Sequence, residues 1–575
     1  MYIDVVPNRN SPPAVLLRES FREGRKVRKR TLANLSALPM EQVELLRRSL
    51  KGERFYSIEQ LFRVVRNIAH GHVEAVLGTI KRLGLDRIIS SEASRQRDLA
   101  IGMIAERLIY PCSKLATVRQ WHTTTLADQL GVEDADEDDL YEAMDWLLER
   151  KERIEKKFAK RHLADGSVVL YDVTSSYYEG HLCSLAQFGH NRDGKKGRTI
   201  IVYGVMTDRQ GRPVAVDVYA GDTGDPSTVV DQVGKLRKQF GIEQVVLVGD
   251  RGLLTQTQID RLRACPGIGW ISALRSRQIR ELADAGSLQF SLFDEQNLAE
   301  IRDPQYPGER LVVCYNPILA EERRRKRQAL LEATEKSLEK IVRQVARRNK
   351  KLMGKAAIGL KVGRVLHRYK VGKHFSISIQ KGSFCYHRRE ASIRREEELD
   401  GIYVIRTSEP VERFSAEEVV RKYKSLAEVE RAFRCLKGLD ILVRPIRHWN
   451  DDRVRAHIFL CLLAYYVEWH MRKALAPLLF DDEEREELRR QRDPVAPAKP
   501  SKSAKSKKRQ KTTEDGFPVH SFDTLLAELG TRCRNLCRAK KDPSGATFSM
   551  LTEPTPLQKK ALQLLCLYPV NGKIE

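Results

Sequence analysis

Three acidic residues, far apart in the chain, have surroundings that suit a metal site. Asp172 lies at the polar end of the apolar run Val168–Leu170, and Asp250 follows the apolar run Val245–Val248 in a glycine-containing turn. Glu430 lies in a stretch with helical periodicity, at the edge of its apolar face. Carboxylates that meet in a dry site repel one another, and a hard divalent cation neutralises them. The three residues therefore predict a catalytic site for Mg²⁺ or Mn²⁺, and two ions are expected.

The helix that carries Glu430 is predicted over Arg421–Leu439 and presents two faces. At about 100° per residue, one narrow stripe is polar and consists of Tyr423, Glu430, Arg434 and Lys437. The stripe beside it is apolar, suits packing on a core, and consists of Leu426, Val429, Phe433 and Leu436. Glu428 points away from both stripes. The alternative is a solvated face on which Glu430 and Arg434 pair at i, i+4. Similarly, a single Asp at a strand end is often a turn former.

The segments around Asp172 and Asp250 predict an α/β fold. Strands at 199–207 and 213–219 are expected to form a hairpin, and a helix at 227–240 precedes the strand that ends at Asp250. This is the order of elements in a ribonuclease-H-like core, in which three antiparallel strands are followed by a helix and then by a parallel strand. A compact core of this kind needs fewer residues before its last helix than lie between Asp250 and Glu430, so an insertion is predicted.

Three motifs in this order resemble those of the DDE transposases of bacterial insertion sequences. They are YDVTSSYYEG at Asp172, GDRGLLT at Asp250, and Tyr423-x2-Leu426-x3-Glu430-x6-Lys437. The third motif resembles the large branch of that family, which has the signature Tyr-x2-Arg-x3-Glu-x6-Lys and an insertion before the catalytic Glu. Leu426 stands where that signature has Arg, on the face that is predicted to pack. The resemblance extends over most of the chain, as far as Lys473.

The resemblance implies an enzyme that cuts the ends of a mobile element and joins them to target DNA. The implied fold is a ribonuclease-H-like catalytic core with an inserted subdomain, preceded by a largely helical N-terminal region. The resemblance implies that Asp172, Asp250 and Glu430 bind the metal and catalyse the reaction. Tyr423 and Lys437 are implied to hold phosphates near the cut. Arg434 is a further candidate for DNA binding. The implied partners are double-stranded DNA, as element ends and as target, and a second copy of the chain on paired ends.

The composition also favours a polyanionic partner. Lys and Arg number 102 against 77 Asp and Glu, which gives a net charge of +25 and a pI near 9.6. A basic and aromatic segment follows the Glu430 helix, and its Arg444, Arg447 and His448 are predicted to contact the phosphate backbone. The alternative for this segment is a solvated loop with one packed Trp.

Composition and periodicity divide the chain into seven regions. They are a β-rich basic region (1–56), a helical DNA-binding region (57–165), the first part of the core (166–275), the insertion (276–400), the second part of the core with the Glu430 helix (401–480), a basic disordered linker (486–515) and a helical C-terminal region (516–575). A capping box formed by Ser57 and Gln60 is expected to begin the second region.

The cysteines and the apolar segments predict a cytoplasmic protein. The ten cysteines lack metal-binding spacing, which is typical of free thiols in a reducing compartment. The N-terminal residues MYIDVVPNRN are not an apolar run, and the most apolar stretch, Ile458–Val467, is too short to span a bilayer. We therefore expect a cytoplasmic protein that is not associated with a membrane, and the resemblance implies a bacterial protein associated with the nucleoid.

Two other functions are compatible with the same scaffold. A catalytically inactive or domesticated DNA-binding protein would keep the fold without the chemistry, and Leu426 in place of Arg favours it. A metal-dependent nuclease would use the same carboxylates without joining strands. The presence of all three carboxylates favours an enzyme.

Overall fold

The computed structural model describes residues 1–9, 11–55, 62–289, 293, 296–347, 352–540 and 546–569. The chain forms two compact units, one of Met1–Ile68 with Cys533–Glu553 and the other of Ala69–Arg532 with Pro554–Glu575. The capping box predicted at Ser57 lies outside the described residues. No described helix has the length and apolar character that crossing a membrane requires.

The elements follow one another in chain order. The strands are β1 (Tyr2–Val6), β2 (Ala14–Glu23), β3 (Lys26–Asn34), β4 (Phe62–Ala69), β5 (Ser167–Tyr177), β6 (Ile200–Asp208), β7 (Pro213–Tyr219), β8 (Val245–Val248), β9 (Ile268–Ala273), β10 (Leu298–Ile301), β11 (Arg310–Tyr315), β12 (Phe375–Ile379), β13 (Phe384–Arg388), β14 (Ile402–Thr407), β15 (Cys533–Ala539) and β16 (Thr547–Leu551). The helices are α1 (Met40–Leu50), α2 (Gly71–Arg82), α3 (Leu85–Ile89), α4 (Arg95–Ile109), α5 (Lys114–Gln120), α6 (Leu126–Leu130), α7 (Glu137–Glu149), α8 (Lys151–His162), α9 (Thr228–Gly234), α10 (Gln256–Arg263), α11 (Ser276–Asp284), α12 (Pro317–Ala346), α13 (Lys355–Tyr369), α14 (Glu390–Glu397), α15 (Ala416–Lys424), α16 (Leu426–Lys437), α17 (Asp451–Leu475), α18 (Arg485–Gln491), α19 (Lys502–Gln510), α20 (Phe522–Gly530) and α21 (Pro556–Leu564).

The first unit contains two small sheets. Strands β1, β2 and β3 form an antiparallel sheet in that order, and α1 begins after Pro39. A small core of Ile3, Val15 and Val43 joins α1 to this sheet. The second sheet has the order β16-β15-β4.

Strands replace helices at two predicted positions. β4 lies where the helical region 57–165 was expected to begin, and β15 and β16 lie within the C-terminal region 516–575, which was expected to be helical. Both expectations are wrong at these positions for one reason. The pairing of β4 with β15 joins segments that are far apart in sequence, and the cross-strand contacts that stabilise such a sheet are not encoded in a local pattern.

A mixed eight-stranded sheet forms the centre of the second unit, in the order β10-β11-β14-β9-β8-β5-β6-β7. β5, β6 and β7 are antiparallel neighbours, whereas β5, β8 and β9 run parallel. All four residues of β8 are buried, as expected of a parallel strand that is covered on both faces. The α/β fold predicted around Asp172 and Asp250 is therefore confirmed in its coarse form, a mixed fold built on one large sheet.

Part of the region predicted as an insertion, 276–400, belongs to this central sheet. β11 pairs with β14 along its whole length, and β10 pairs with β11 at the sheet edge. A separate hydrophobic cluster forms farther along, where α12 and α13 pack with β12 and β13 around Leu338, Ile358 and Phe375. The separate part therefore begins at α12 and not at residue 276, because the apolar run of β11 is buried within the sheet.

The basic segment 486–515 is ordered where it was expected to be disordered. It contains α18 and α19, and the Ser501 hydroxyl caps α19 by accepting a hydrogen bond from the Ala504 amide at 3.0 Å. Lys507 is buried, donates to the Ala476 carbonyl at 3.0 Å and pairs with Glu483. The composition gave the wrong prediction because the acid that neutralises Lys507 lies outside the segment.

Helix α17 runs through the core of the second unit. Every residue from Ala456 to Glu468 is buried, which explains why the most apolar stretch of the chain lies here. The helix packs against α4, α7 and β7. An apolar helix that is buried on all sides is typical of the interior of a large domain.

A histidine on α17 gives the protein a predicted sensitivity to acid. Burial, followed by the positive charge of Arg107, lowers the pKa of His457 well below the usual 6.5. The unfolded chain takes up a proton near pH 6.5 and the folded chain does not. Stability therefore falls by about 1.4 kcal/mol per pH unit below that value. We expect His457→Phe to show a shallower loss of unfolding free energy between pH 6.5 and 5 than wild type. Parallel pH profiles of the two proteins would contradict this expectation.

Candidate active site

Parallel pairing of β5 with β8 brings Asp172 and Asp250 to the same level of the sheet. Leu170 is the register partner of Val248, and each Asp follows two residues later. Asp172 is still within β5, while Asp250 lies just beyond the end of β8. The two carboxyl groups interact electrostatically. The structure therefore brings these two predicted residues together.

The carboxyl of Asp172 is half-buried and is difficult to ionise. Burial, with a smaller contribution from the charge of Asp250, raises its pKa to about 7. Its Oδ1 accepts a hydrogen bond from the Val173 amide at 2.8 Å, which only partly opposes this shift. A nearby cation would favour the ionised form.

Asp250 shapes the turn in which it lies. Its Oδ1 accepts hydrogen bonds from the amides of Gly252 at 2.9 Å and Leu253 at 2.7 Å. The residue is exposed, and its Oδ2 forms no hydrogen bond within the described part of the chain. The turn-forming role that is common for such an Asp is present, and it leaves one carboxylate oxygen available for a ligand.

Glu430 and Tyr423 lie on two helices and not on one. The predicted helix Arg421–Leu439 consists of α15 and α16, which meet at Ser425. The buried Ser425 donates its hydroxyl hydrogen to the Lys422 carbonyl. Such a local side-chain bond competes with the helical hydrogen-bond pattern, so the prediction of a single helix is wrong here.

Tyr423 nevertheless lies near all three carboxylates. Burial, followed by the charge of Asp250, raises the pKa of Tyr423 to about 12, and Glu430 and Asp172 contribute in the same direction. The helix break therefore does not separate the predicted residues. Tyr423 interacts electrostatically with Asp172, Asp250 and Glu430 from its position near the helix break.

The phase of α16 agrees with the prediction. Its apolar face is buried, and Phe433 packs edge-on against Tyr203 of β6 with ring centroids 6.2 Å apart. Glu430 and Arg434 are exposed, and among the described residues they form no ion pair with each other or with any other group. Glu428 is bound elsewhere, by Arg485 at 2.8 Å.

Lys437 and Arg444 are held by a buried acid that was not predicted. Asp193 has a side chain that is 1% exposed, and it pairs with Lys437 at 3.0 Å and with Arg444. The Tyr177 amide donates to the same carboxylate at 3.0 Å. Lys437 also donates to the Ser175 carbonyl of β5. Both cations are therefore engaged inside the protein, which differs from the predicted contact with phosphate.

One signal in the sequence could have identified Asp193. It is the one acid in the basic loop 181–198, which contains several Lys, Arg and His residues. An isolated acid of this kind is a natural anchor for cations. Which cations it binds is decided by the fold, because Lys437 and Arg444 lie far along the chain.

The remaining predicted DNA-binding residues differ in their surroundings. The Arg447 side chain is 70% exposed and pairs with Glu179 at 3.1 Å. His448 is half-buried, and burial followed by the charge of Lys114 lowers its pKa to about 3. His448 is therefore neutral at physiological pH and offers no positive charge to a phosphate.

A second group of possible ligands lies on the other side of α16. Among the described residues, the ligand atoms of Cys435, Asp440 and Glu468 lie within 4.8 Å of one another. Arg472 pairs with Glu468 at 2.5 Å and with Asp440 at 3.1 Å. Because a guanidinium already neutralises these acids, the geometry favours an ion-pair cluster over a metal site.

Comparison with known proteins identifies the family. A profile described as the transposase DDE domain matches residues 163–467, and a profile described as the N-terminal domain of IS1634 family transposases matches residues 3–60. No curated protein matches the chain. Among solved structures, the chain is similar to a piggyBac transposase in a synaptic complex with hairpin DNA. The identity is 10%, with 80% of this chain and 76% of that chain covered and a TM-score of 0.34.

The DDE profile matches more than half of the chain and includes the segments that carry Asp172, Asp250 and Glu430. The resemblance seen in the sequence motifs is therefore confirmed for the family, while the branch with the Tyr-Arg-Glu-Lys signature stays a prediction. The chain belongs to the DDE transposases of insertion sequences, metal-dependent enzymes that cut and join DNA.

Proposed function

We propose that Asp172, Asp250 and Glu430 are the catalytic carboxylates with which this transposase cuts the ends of its element and joins them to target DNA. The observation that carries the proposal is the position of Tyr423, which interacts electrostatically with all three although they come from three separate elements. The parallel register of β5 and β8 supports it, since it aligns the two aspartates.

The donor set fits divalent cations. Three carboxylates provide the oxygen ligands that Mg²⁺ and Mn²⁺ prefer, and the raised pKa of Asp172 shows a group that gains from added positive charge. Asp172, Asp250 and Glu430 would together hold two such ions. When bound, two such ions make a nucleophile available at neutral pH and stabilise the charge on the departing oxygen.

The basic residues around the site divide into two roles. Arg434, exposed one turn beyond Glu430, and Arg447, exposed at the protein surface, are proposed to contact DNA phosphates together with Tyr423. Lys437 and Arg444 are proposed to hold the loop of Asp193 against β5, since both are paired with that carboxylate. This replaces the phosphate contact first predicted for these two residues, and His448 is likewise assigned to packing.

The arrangement of the sheet supports a ribonuclease-H-like core. Strands β5, β6 and β7 are antiparallel, β8 and β9 add in parallel on the other side of β5, and the helix with Glu430 packs against β5. Leu426 is 9% exposed, which supports a packing role where the family signature has Arg. The remaining strands, the separate cluster around α12 and the N-terminal regions are proposed to serve DNA binding and pairing of two chains on two element ends.

Strand joining distinguishes a transposase from a nuclease. We expect the protein, given Mg²⁺, DNA that carries the element ends and a target plasmid, to yield plasmid covalently joined to element DNA, because one site can use either water or a 3′-hydroxyl. The measurement is gel analysis of end-labelled DNA, with EDTA as control. Cleaved ends without joined product would indicate a nuclease, and DNA binding without cleavage would indicate an inactive protein.

A further inference from the structure

A large cavity in the second unit lies outside the carboxylate site. Its volume is about 1020 Å³, and it lies between helices α4, α5 and α7 and the segment that follows the Glu430 helix. Its lining is basic and aromatic and includes Arg107, Lys114, Tyr141, Arg444, His448 and Trp449. Trp449 is 70% exposed, so the cavity opens to solvent beside it.

Two buried cations set this cavity apart from an ordinary basic surface. Arg107 is 7% exposed and Lys114 is 4% exposed. Within the residues that the structure describes, neither side chain forms a hydrogen bond or an ion pair. Charged side chains are almost never buried without a partner, because desolvation of an unpaired charge is costly. The partner of these two cations is therefore expected to come from outside the chain.

The neighbouring acids neutralise this pair only in part. Glu106 is buried close by and interacts electrostatically with both cations, but burial is the larger effect and raises its pKa to about 7. Glu137 and Asp138 line the cavity but pair with neither cation in the described residues. The same burial, with the charge of Arg107, lowers the pKa of Lys114 to about 7, as expected of an ammonium group that lacks an anion.

We propose that this cavity binds a phosphate group of the DNA backbone, with Arg107 and Lys114 as its counter-charges. A tetrahedral anion accepts several hydrogen bonds at once and suits a guanidinium beside an ammonium. The proposal rests on the proposed function only in its choice of DNA as the polymer. The exposed Trp449 and Arg447 beside the opening offer a stacking surface and a further cation to the same strand.

The cavity is connected to the carboxylate site by ion pairs. Arg444 lines the cavity and pairs with Asp193, which in turn pairs with Lys437 on the helix of Glu430. A phosphate beside Arg444 would therefore act on the loop of Asp193, which is ion-paired to the helix of Glu430. DNA in the cavity would be held at a fixed distance from the site of cutting.

The test measures DNA binding in EDTA, where no cleavage takes place. Full-length wild type, Lys114→Met and Arg107→Met are titrated with labelled duplex DNA at several salt concentrations. We expect each variant to bind at least about tenfold more weakly at low salt, and the slope of log affinity against log salt to fall by about one. Lys238→Met, which removes an exposed cation from the segment that follows α9, serves as control and should bind as wild type does.

Thermal unfolding separates loss of a ligand from loss of the fold. Without DNA, Lys114→Met should unfold no earlier than wild type, because an unpaired buried charge has been replaced by an apolar chain of similar length. Inorganic phosphate at constant ionic strength should raise the unfolding midpoint of wild type and not that of Lys114→Met.

Three results would overturn the proposal. One is equal DNA affinity and salt slope in wild type and both variants. Another is early unfolding of Lys114→Met, which would show that Lys114 has a partner inside the chain. The third is a response to inorganic phosphate without any loss of DNA affinity, which would indicate a site for a small anion. Because all arms lack divalent metal, failure here is independent of whether the three carboxylates catalyse cleavage.

Discussion

Asp172→Asn, Asp250→Asn and Glu430→Gln are each expected to lower the rate of element-end cleavage by at least about 10³-fold. Charge stabilisation by bound divalent ions contributes several kcal/mol, and each 1.4 kcal/mol corresponds to about tenfold in rate. The neutral replacements keep the size of each side chain, and an Asn at 250 can still accept the two amide hydrogen bonds of the turn. The measurement is cleavage of end-labelled DNA in Mg²⁺, with DNA affinity measured alongside in EDTA and expected to change little.

Glu428→Gln is the matched control for Glu430→Gln. Both residues are acids on α16, but Glu428 pairs with Arg485 and Glu430 is free within the described residues. We expect Glu428→Gln to retain cleavage within a few-fold of wild type. If Glu428→Gln abolished cleavage and Glu430→Gln did not, the assignment of the third carboxylate would be wrong.

Asp172→Asn, which is expected to abolish cleavage, is also expected to make the folded protein more stable. The pKa of Asp172 is raised to about 7 in the folded protein, so above that pH the folded state holds a charge that it disfavours. Asp172→Asn removes this charge and should raise the unfolding midpoint in EDTA at pH 8. A variant that is inactive yet more stable would show that the carboxyl is retained for chemistry and not for folding.

Asp193→Ala is expected to cost about 3–5 kcal/mol of unfolding free energy, because it removes a buried acid and leaves two half-buried cations without their partner. Lys437 and Arg444 both pair with this carboxylate, whose side chain is 1% exposed. The measurement is denaturation by urea. Asp222→Ala is the control, since Asp222 is exposed in a nearby loop and its loss should change stability little.

A double substitution tests whether the loss comes from the unpaired cations. The double variant Asp193→Ala/Arg444→Ala should lose less unfolding free energy than the two single variants lose in sum. The reason is that Arg444→Ala removes one of the two cations that Asp193→Ala leaves unpaired. Additive losses would contradict this explanation.

The alternative role of Lys437, a contact with DNA, is tested by Lys437→Met. The structure predicts reduced stability with little change in DNA affinity, and the reverse result would favour the phosphate contact.

The apolar runs of the sequence determined where two of the three carboxylates lie. Val168–Leu170 and Val245–Val248 lie in buried strands. Asp250 falls just beyond the end of β8, as the local pattern predicts, whereas β5 continues past Asp172 to Tyr177. Helical periodicity likewise distinguished Glu430 from Glu428, because the apolar face of α16 fixes the direction of every other side chain on that helix. These features depend on spacing within a few residues, and such spacing is read directly from the chain.

Only the tertiary structure decided which charges meet. Asp193 binds Lys437 and Arg444 across long separations in sequence, and the pairing of β4 with β15 joins opposite ends of the chain. The burial of Arg107 and Lys114 around one cavity has the same origin. The physical reason is that burial and ion pairing depend on distances between remote residues, which the register of the sheet and the packing of the helices set, and which no local pattern contains.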